Sequence, residues 1–110
     1  MNRRAQVWLH DRCTGILEEN ADGFRFTYLQ SHVMDARRPI SASLPVRSQP
    51  YESPRLFPFF EGMLAEGSLR VLQTRQAKLS EDDSFGLLLA TCAEDAPGAV
   101  TIRQIPEGAT

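Results

Sequence analysis

The feature that most limits what this chain can become is a change of hydrophobic period partway along it. Up to residue 28, apolar residues tend to alternate with polar ones. Beyond residue 55 they recur every three or four positions, and the stretch between carries Pro39, Pro45, Pro50 and Pro54. A period of two belongs to a strand with one buried face, and a period near 3.6 to an amphipathic helix. Proline locks φ and removes a ladder donor, so the middle segment suits neither element for long. Strands followed by helices in a chain of 110 residues predict one α+β domain over residues 1–110. Its parts would be a small antiparallel β-meander, about three helices packed on it and a closing C-terminal strand.

The individual elements follow from the same pattern. Val7 and Leu9 alternate with Trp8 and His10 as a first strand. Cys13 to Glu19 is a second, with Ile16 and Leu17 as its apolar content and Gly15 as a bulge or a point of close approach. Asp11-Arg12 is short enough for a hairpin link between them. Asn20-Ala21-Asp22-Gly23 is a turn signal, and Phe24, Phe26 and Tyr28 then share one face of a third strand. In the proline-rich stretch only Ile40 to Leu44 can pair as a strand, which Pro45 ends or confines to an edge.

Leu56, Phe60, Met63 and Leu64 fall at i, i+4, i+7 and i+8, the stripe of a helix with Pro58 in its first turn and Gly67 as its stop. Ser68 is placed to cap a second helix whose apolar residues include Leu69, Leu72 and Leu79. Ser80-Glu81-Asp82-Asp83 reads as an N-cap serine with acids over the first turn, followed by Phe85, Leu88, Leu89 and Cys92 on one face. Pro97-Gly98 breaks the chain, and Val100 with Ile102 alternates as the last strand.

Composition removes several classes of function. A net charge of −2, with arginine doublets only at Arg3-Arg4 and Arg37-Arg38, does not suit a domain built to neutralise phosphates, so no direct nucleic-acid binding is expected. The N-terminus lacks the apolar core of a secretory signal, and no run approaches the roughly 18 apolar residues that span a bilayer. Cys13 and Cys92 are too few to staple the fold and read as reduced thiols, which predicts a cytoplasmic protein.

Catalytic patterns are equally thin. His10, Cys13, His32 and Cys92 have none of the paired spacing of a zinc site, so neither metal nor cofactor is expected. Nucleophilic catalysis needs a nucleophile, a base and an orienting group, and there is no G-x-S-x-G. Asp83-Ser84-Phe85-Gly86 only faintly resembles a kinase D-F-G with one residue inserted, and without a Gly-rich loop, H-R-D or strand lysine the match is accidental. The chain is expected to have no enzymatic activity.

Leu56-Phe57-Pro58-Phe59-Phe60 does exceed background, with three phenylalanines in five residues. At most two of them can face one core. Either all three pack internally or under the loop, or one serves as an aromatic anchor at a protein interface. With Leu56 and Phe60 assigned to the core, Phe57 and Phe59 are the candidates. The turn Glu66-Gly67-Ser68 and the neighbouring Arg70 complete the candidate partner-binding set.

Several segments, taken in order, carry a resemblance. They are Val7-Trp8-Leu9, Gly15 with Leu17, and Phe24-Arg25-Phe26-Thr27-Tyr28, then Ser41-Ala42-Ser43-Leu44-Pro45. Next come Phe59-Phe60-Glu61-Gly62-Met63-Leu64-Ala65-Glu66-Gly67 with Arg70, Asp83-Ser84-Phe85 with Leu87-Leu88, and Pro97-Gly98-Ala99-Val100. The set resembles the N-terminal subdomain of HipA-type proteins, through S-x-S-L-P, F-F-x-x-L-L-P-E-G-x-x-R, D-x-F-x-L-L and P-G-A-V. Ala65 replaces the proline of P-E-G, and Ala93 stands where a glycine is usual before Asp95.

The resemblance implies a non-catalytic subdomain whose kinase region would begin beyond Thr110. It also implies an arrangement in which a separate HipS-like protein restrains a HipT-like serine/threonine kinase toxin, beside a HipB-like DNA-binding protein. Two other readings stay open: the N-terminal regulatory portion of a longer HipA kinase, or a bridge to a HipB-like repressor.

Overall fold

A computed structural model describes residues 3–35, 38–92 and 100–105. Its elements run β1 (Arg4–Leu9), β2 (Arg12–Asn20), β3 (Gly23–Tyr28), α1 (Gln30–Met34), β4 (Tyr51–Ser53), α2 (Pro58–Glu61), α3 (Gly67–Gln76), α4 (Ser84–Thr91) and β5 (Val100–Ile105). The strands form a five-stranded sheet in the order β4-β3-β2-β1-β5, every neighbouring pair antiparallel. The expected α+β class, the meander β1–β2–β3 and the closing strand are all present. Ala5, Val7, Leu17, Phe26, Tyr28 and Ile102 form the sheet's share of a core completed by Phe60, Leu64, Phe85, Leu87 and Leu88.

Register explains the roles of two small residues in β2. Val7 faces Gly15 but Trp8 faces Cys13, which leaves Thr14 as the extra residue of a bulge. Its buried hydroxyl donates to the Val7 carbonyl at 2.9 Å. Gly15 is the point of close approach, since a Cβ there would lie 2.6 Å from the Thr27 carbonyl oxygen and 2.8 Å from the Phe26 ring. The β1–β2 link is His10-Asp11 rather than Asp11-Arg12, because Leu9 already pairs with Arg12.

The proline-rich stretch departs from expectation. Ile40 to Leu44 is no strand, and two elements absent from the sequence reading, α1 and β4, flank it. The reason lies in hydrogen bonding. The Ser43 N–H donates to Ser41 Oγ at 3.2 Å and the Leu44 N–H to the Ser41 carbonyl at 3.0 Å, closing a turn. The buried Tyr28 hydroxyl accepts from the Ile40 N–H at 3.1 Å and donates to the Leu44 carbonyl. Backbone groups that a strand would pair are thus taken up by the turn itself and by the Tyr28 hydroxyl, while Ile40 and Leu44 remain buried. β4, bounded by Pro50 and Pro54, supplies the sheet's edge instead, with Tyr51 opposite Phe26.

The helices also differ at their ends. α2 is a single turn, and Leu56 is buried just ahead of it. Ser68 does not cap α3: Glu66 holds the N-cap position without a side-chain bond, and Gly67 opens the helix with φ 63°. α4 starts at Ser84, and its cap is Asp83 rather than Ser80, the carboxylate accepting from the Gly86 N–H at 3.0 Å. Ser80 closes the preceding turn by accepting from the Asp82 and Asp83 N–H groups. The expected break at Pro97-Gly98, together with Arg37, Ala93 and Asp95, lies outside the described residues.

Candidate functional site

One end of the sheet is tied to the helices by two sets of ion pairs linked through Ser84. Arg4 faces both Glu18 of β2 and Ile105 of β5, so Arg3 stands at the end of the sheet where β5 finishes. The Arg3 guanidinium meets Glu19 at 2.7 and 2.8 Å and Asp83 at 2.7 and 3.0 Å, two-pronged on each side. It also lies 5.2 Å from the centre of the Phe85 ring. Hydrogen bonds from Arg3 hold the Asp83 carboxyl below the usual carboxylate range, and the bonds to Glu19 and then to Asp83 push the arginine's own pKa up.

From Asp83 the network passes to the adjoining Ser84, whose hydroxyl accepts from Arg70 at 3.0 Å and donates to Glu61 at 3.2 Å. Arg70 further donates to the Glu81 carbonyl at 2.9 and 3.2 Å and reaches Glu61 at 3.4 Å. The N-terminal turns of α3 and α4 are thereby bound to α2. Beside them is a groove of about 500 Å³ lined in part by Phe24 and Phe85, stacked at 6.1 Å, and by Glu61 and Asp82.

The candidate partner-binding residues fall into three groups. Glu66, Gly67 and Ser68 are exposed, and no atom lies within 4 Å of where a Gly67 Cβ would stand, so this turn projects freely. Arg70, in the first turns of α3, has its guanidinium committed to Glu61, Glu81 and Ser84. Two of the phenylalanines pack on the third: Phe57, 7% exposed, lies in the core 6.2 Å from Phe60, and Phe59 packs edge-on against Phe60 at 5.2 Å while keeping part of its surface in water. The sequence carries no local signal for the ion pairs of Arg3, whose partners lie 16 and 80 residues away, nor for the two backbone bonds of the Tyr28 hydroxyl.

The other titratable groups are dispersed. His32 is buried and stacks on Tyr28 at 5.5 Å, with Nε2 against the Arg38 carbonyl at 2.9 Å. Burial pushes up the thiols of Cys13 and Cys92. Among the described residues no three His, Cys, Asp or Glu side chains are grouped to hold a metal ion, and no helix is long and apolar enough to cross a membrane.

Comparison with known proteins gives this fold a class and then a family. The N-terminal domain of HipA toxin has the same architecture: TM-score 0.73, 29% identity, covering 96% of this chain and 94% of that one. Residues 5–103 match the HipA N-terminal domain family, and the chain belongs to it. An uncharacterized protein of Haemophilus influenzae is 32% identical over 102 residues, 93% of this chain and 92% of that protein. A putative kinase, Y4mE of Sinorhizobium fredii, is 33% identical over 88 residues, 78% of this chain but only 21% of the kinase.

Proposed function

We propose that this chain is a non-catalytic antitoxin or regulatory subunit that binds a HipT-like serine/threonine kinase in the cytoplasm and restrains it. The observation that carries the reading is the family match over residues 5–103, together with a putative kinase in which the matched segment is a fifth of the length. A domain that shares a polypeptide with a much larger body carries a surface shaped for that body. Supplied separately, it can occupy the same place. The H. influenzae relative, which this chain covers almost end to end, supports a separate subunit of about this size acting as one domain over residues 1–110.

The docking surface in this reading is the exposed turn Glu66-Gly67-Ser68, together with Arg70 in the first turns of α3 and the partly exposed Phe59. Restraint follows if the turn fills the kinase cleft or if binding favours an inactive arrangement of its lobes. No cofactor takes part. The test is co-expression with the kinase encoded nearest to it. Restored growth supports the reading, and undiminished toxicity at matched protein levels overturns it.

A second reading, the N-terminal regulatory portion of a longer HipA kinase, draws on the Sinorhizobium relative. The mass of the native gene product in cells separates the two. A third, a bridge to a HipB-like repressor, predicts that the repressor rather than the kinase survives a high-salt pull-down.

A further inference from the structure

α3 is amphipathic in the inverted sense. Its most buried residue is Thr74, 1% exposed, and Arg70, Val71 and Gln73 are half-buried, whereas Leu69 and Leu72 are 53% and 52% exposed. Arg70 ties the helix to the segment before α4, and Thr74 spends its polar atoms within α3 and at its C-terminal end. Arg70 holds Glu81 and Ser84, the Thr74 hydroxyl donates to the Arg70 and Val71 carbonyls at 2.9 and 3.0 Å, and the Leu79 N–H donates to the Thr74 carbonyl at 2.8 Å. Single exposed leucines are ordinary on a protein surface. Two at i and i+3 share one helix face, and here that face begins where the Glu66–Ser68 turn ends. Neither leucine contributes to the folded chain the burial that leucines usually supply.

Charge says what covers it. Arg75, three residues beyond Leu72, lies on the same face, and Lys78 follows at the helix end. Both are exposed, and neither forms an ion pair with any described residue. Such a surface is complemented by an apolar patch edged with carboxylates. In the Sinorhizobium relative the matched segment adjoins a body nearly four times its size, which provides a partner large enough to present one.

We propose that the outer face of α3, through Leu69, Leu72 and Arg75, docks onto an acid-edged apolar patch of the kinase partner, making one surface with the turn before it. This rests on the kinase-subunit reading above. Leu69 and Leu72 enter the partner's patch, and Arg75 pairs with a carboxylate at its margin.

The experiment measures affinity of the full chain for the full-length neighbouring kinase, with melting temperature read alongside. The double variant Leu69→Glu, Leu72→Glu is expected to bind at least about tenfold more weakly at an unchanged melting temperature. If it melts early, Leu69→Gln with Leu72→Gln carries the same reading. Arg75→Glu is expected to weaken binding and flatten its salt dependence. Met34→Glu, a change of the same kind on α1 at a residue 76% exposed, is expected to bind as wild type. Wild-type affinity in the leucine pair, with loss only in a bulky Ser68 variant, overturns the helix face and leaves the kinase-subunit reading intact. No binding by the wild type overturns both. A wild-type dimer that the leucine variants convert to monomer makes the face a contact between two copies and overturns the proposal.

Discussion

Arg3 and Asp83 lie 80 residues apart and meet in a two-pronged ion pair, at 2.7 and 3.0 Å. The same arginine grips Glu19, and the same aspartate caps α4, so one pair joins the beginning of the sheet to the beginning of α4. Asp83 titrates below the usual range in the folded chain, chiefly through its hydrogen bonds to Arg3. A depressed carboxyl stabilises the fold fully above its unfolded pKa of about 4, and that contribution is lost as pH falls through the folded value. Arg3, shifted upward from an already high pKa, stays charged throughout this window.

Asp83→Asn is therefore expected to cost about 2 kcal/mol at neutral pH, through a weakened cap and a broken partly buried ion pair. The gap from wild type is expected to narrow below about pH 4, where the wild type loses the same charge. Urea unfolding of both proteins across this range checks it. A gap independent of pH would mean that the pair contributes nothing beyond its shape.

Tyr28→Phe keeps the ring and removes one hydroxyl that serves two backbone groups. The Ile40 N–H and Leu44 carbonyl are then left without that partner, at a cost of about 1–3 kcal/mol. Hydrogen exchange is expected to quicken at residues 40–44 while β1 and β2 keep their protection. Uniform quickening across the sheet would show that the turn is no separate unit.

Gly15→Ala tests a close approach between β2 and β3. The added methyl would meet the Thr27 carbonyl oxygen, which is backbone and cannot step aside, as well as the Phe26 ring. Overpacking of this kind costs about 1–3 kcal/mol, read directly as a lower melting temperature. A neutral result would require β2 and β3 to separate locally without loss.

How far these features were legible in the sequence depends on how local their causes are. The period-two pattern around Val7, Leu17 and Phe26 is set by neighbours on the same strand, and it led to the meander and to β5. Asn20 to Gly23 carried its own turn chemistry. Ile40 to Leu44 looked like a strand because Ile40 and Leu44 do face the core, but a hydroxyl from β3 claimed the backbone. Ser80 looked like the cap because serine is a good one, whereas Asp83 is held in place by Arg3 from the far end of the chain. Leu69 and Leu72 were grouped with Leu79 as the apolar residues of one helix. Arg70 bonds to Glu81 and Ser84 and Thr74 takes the buried position, which leaves the two facing outward, and no periodicity could reveal that.

The candidate site can be divided by a pair of phenylalanines two residues apart. Phe57 is buried and contacts Phe60, so Phe57→Ala removes core volume and is expected to cost about 3–5 kcal/mol of folding stability. Any loss of kinase binding by that variant should follow from its lower melting temperature. Phe59 keeps one edge in water while the other packs on Phe60, so Phe59→Ala is expected to destabilise less and to weaken binding by about 2 kcal/mol if that edge is an anchor. Ser68 touches nothing that a larger side chain would displace from the core, since the whole turn is exposed. Ser68→Trp should fold normally and block a cleft that admits only a narrow turn. Binding isotherms and thermal melts on the three variants separate the effects. If Phe59→Ala and Ser68→Trp both keep wild-type affinity, the kinase is held by some surface other than the turn at Gly67.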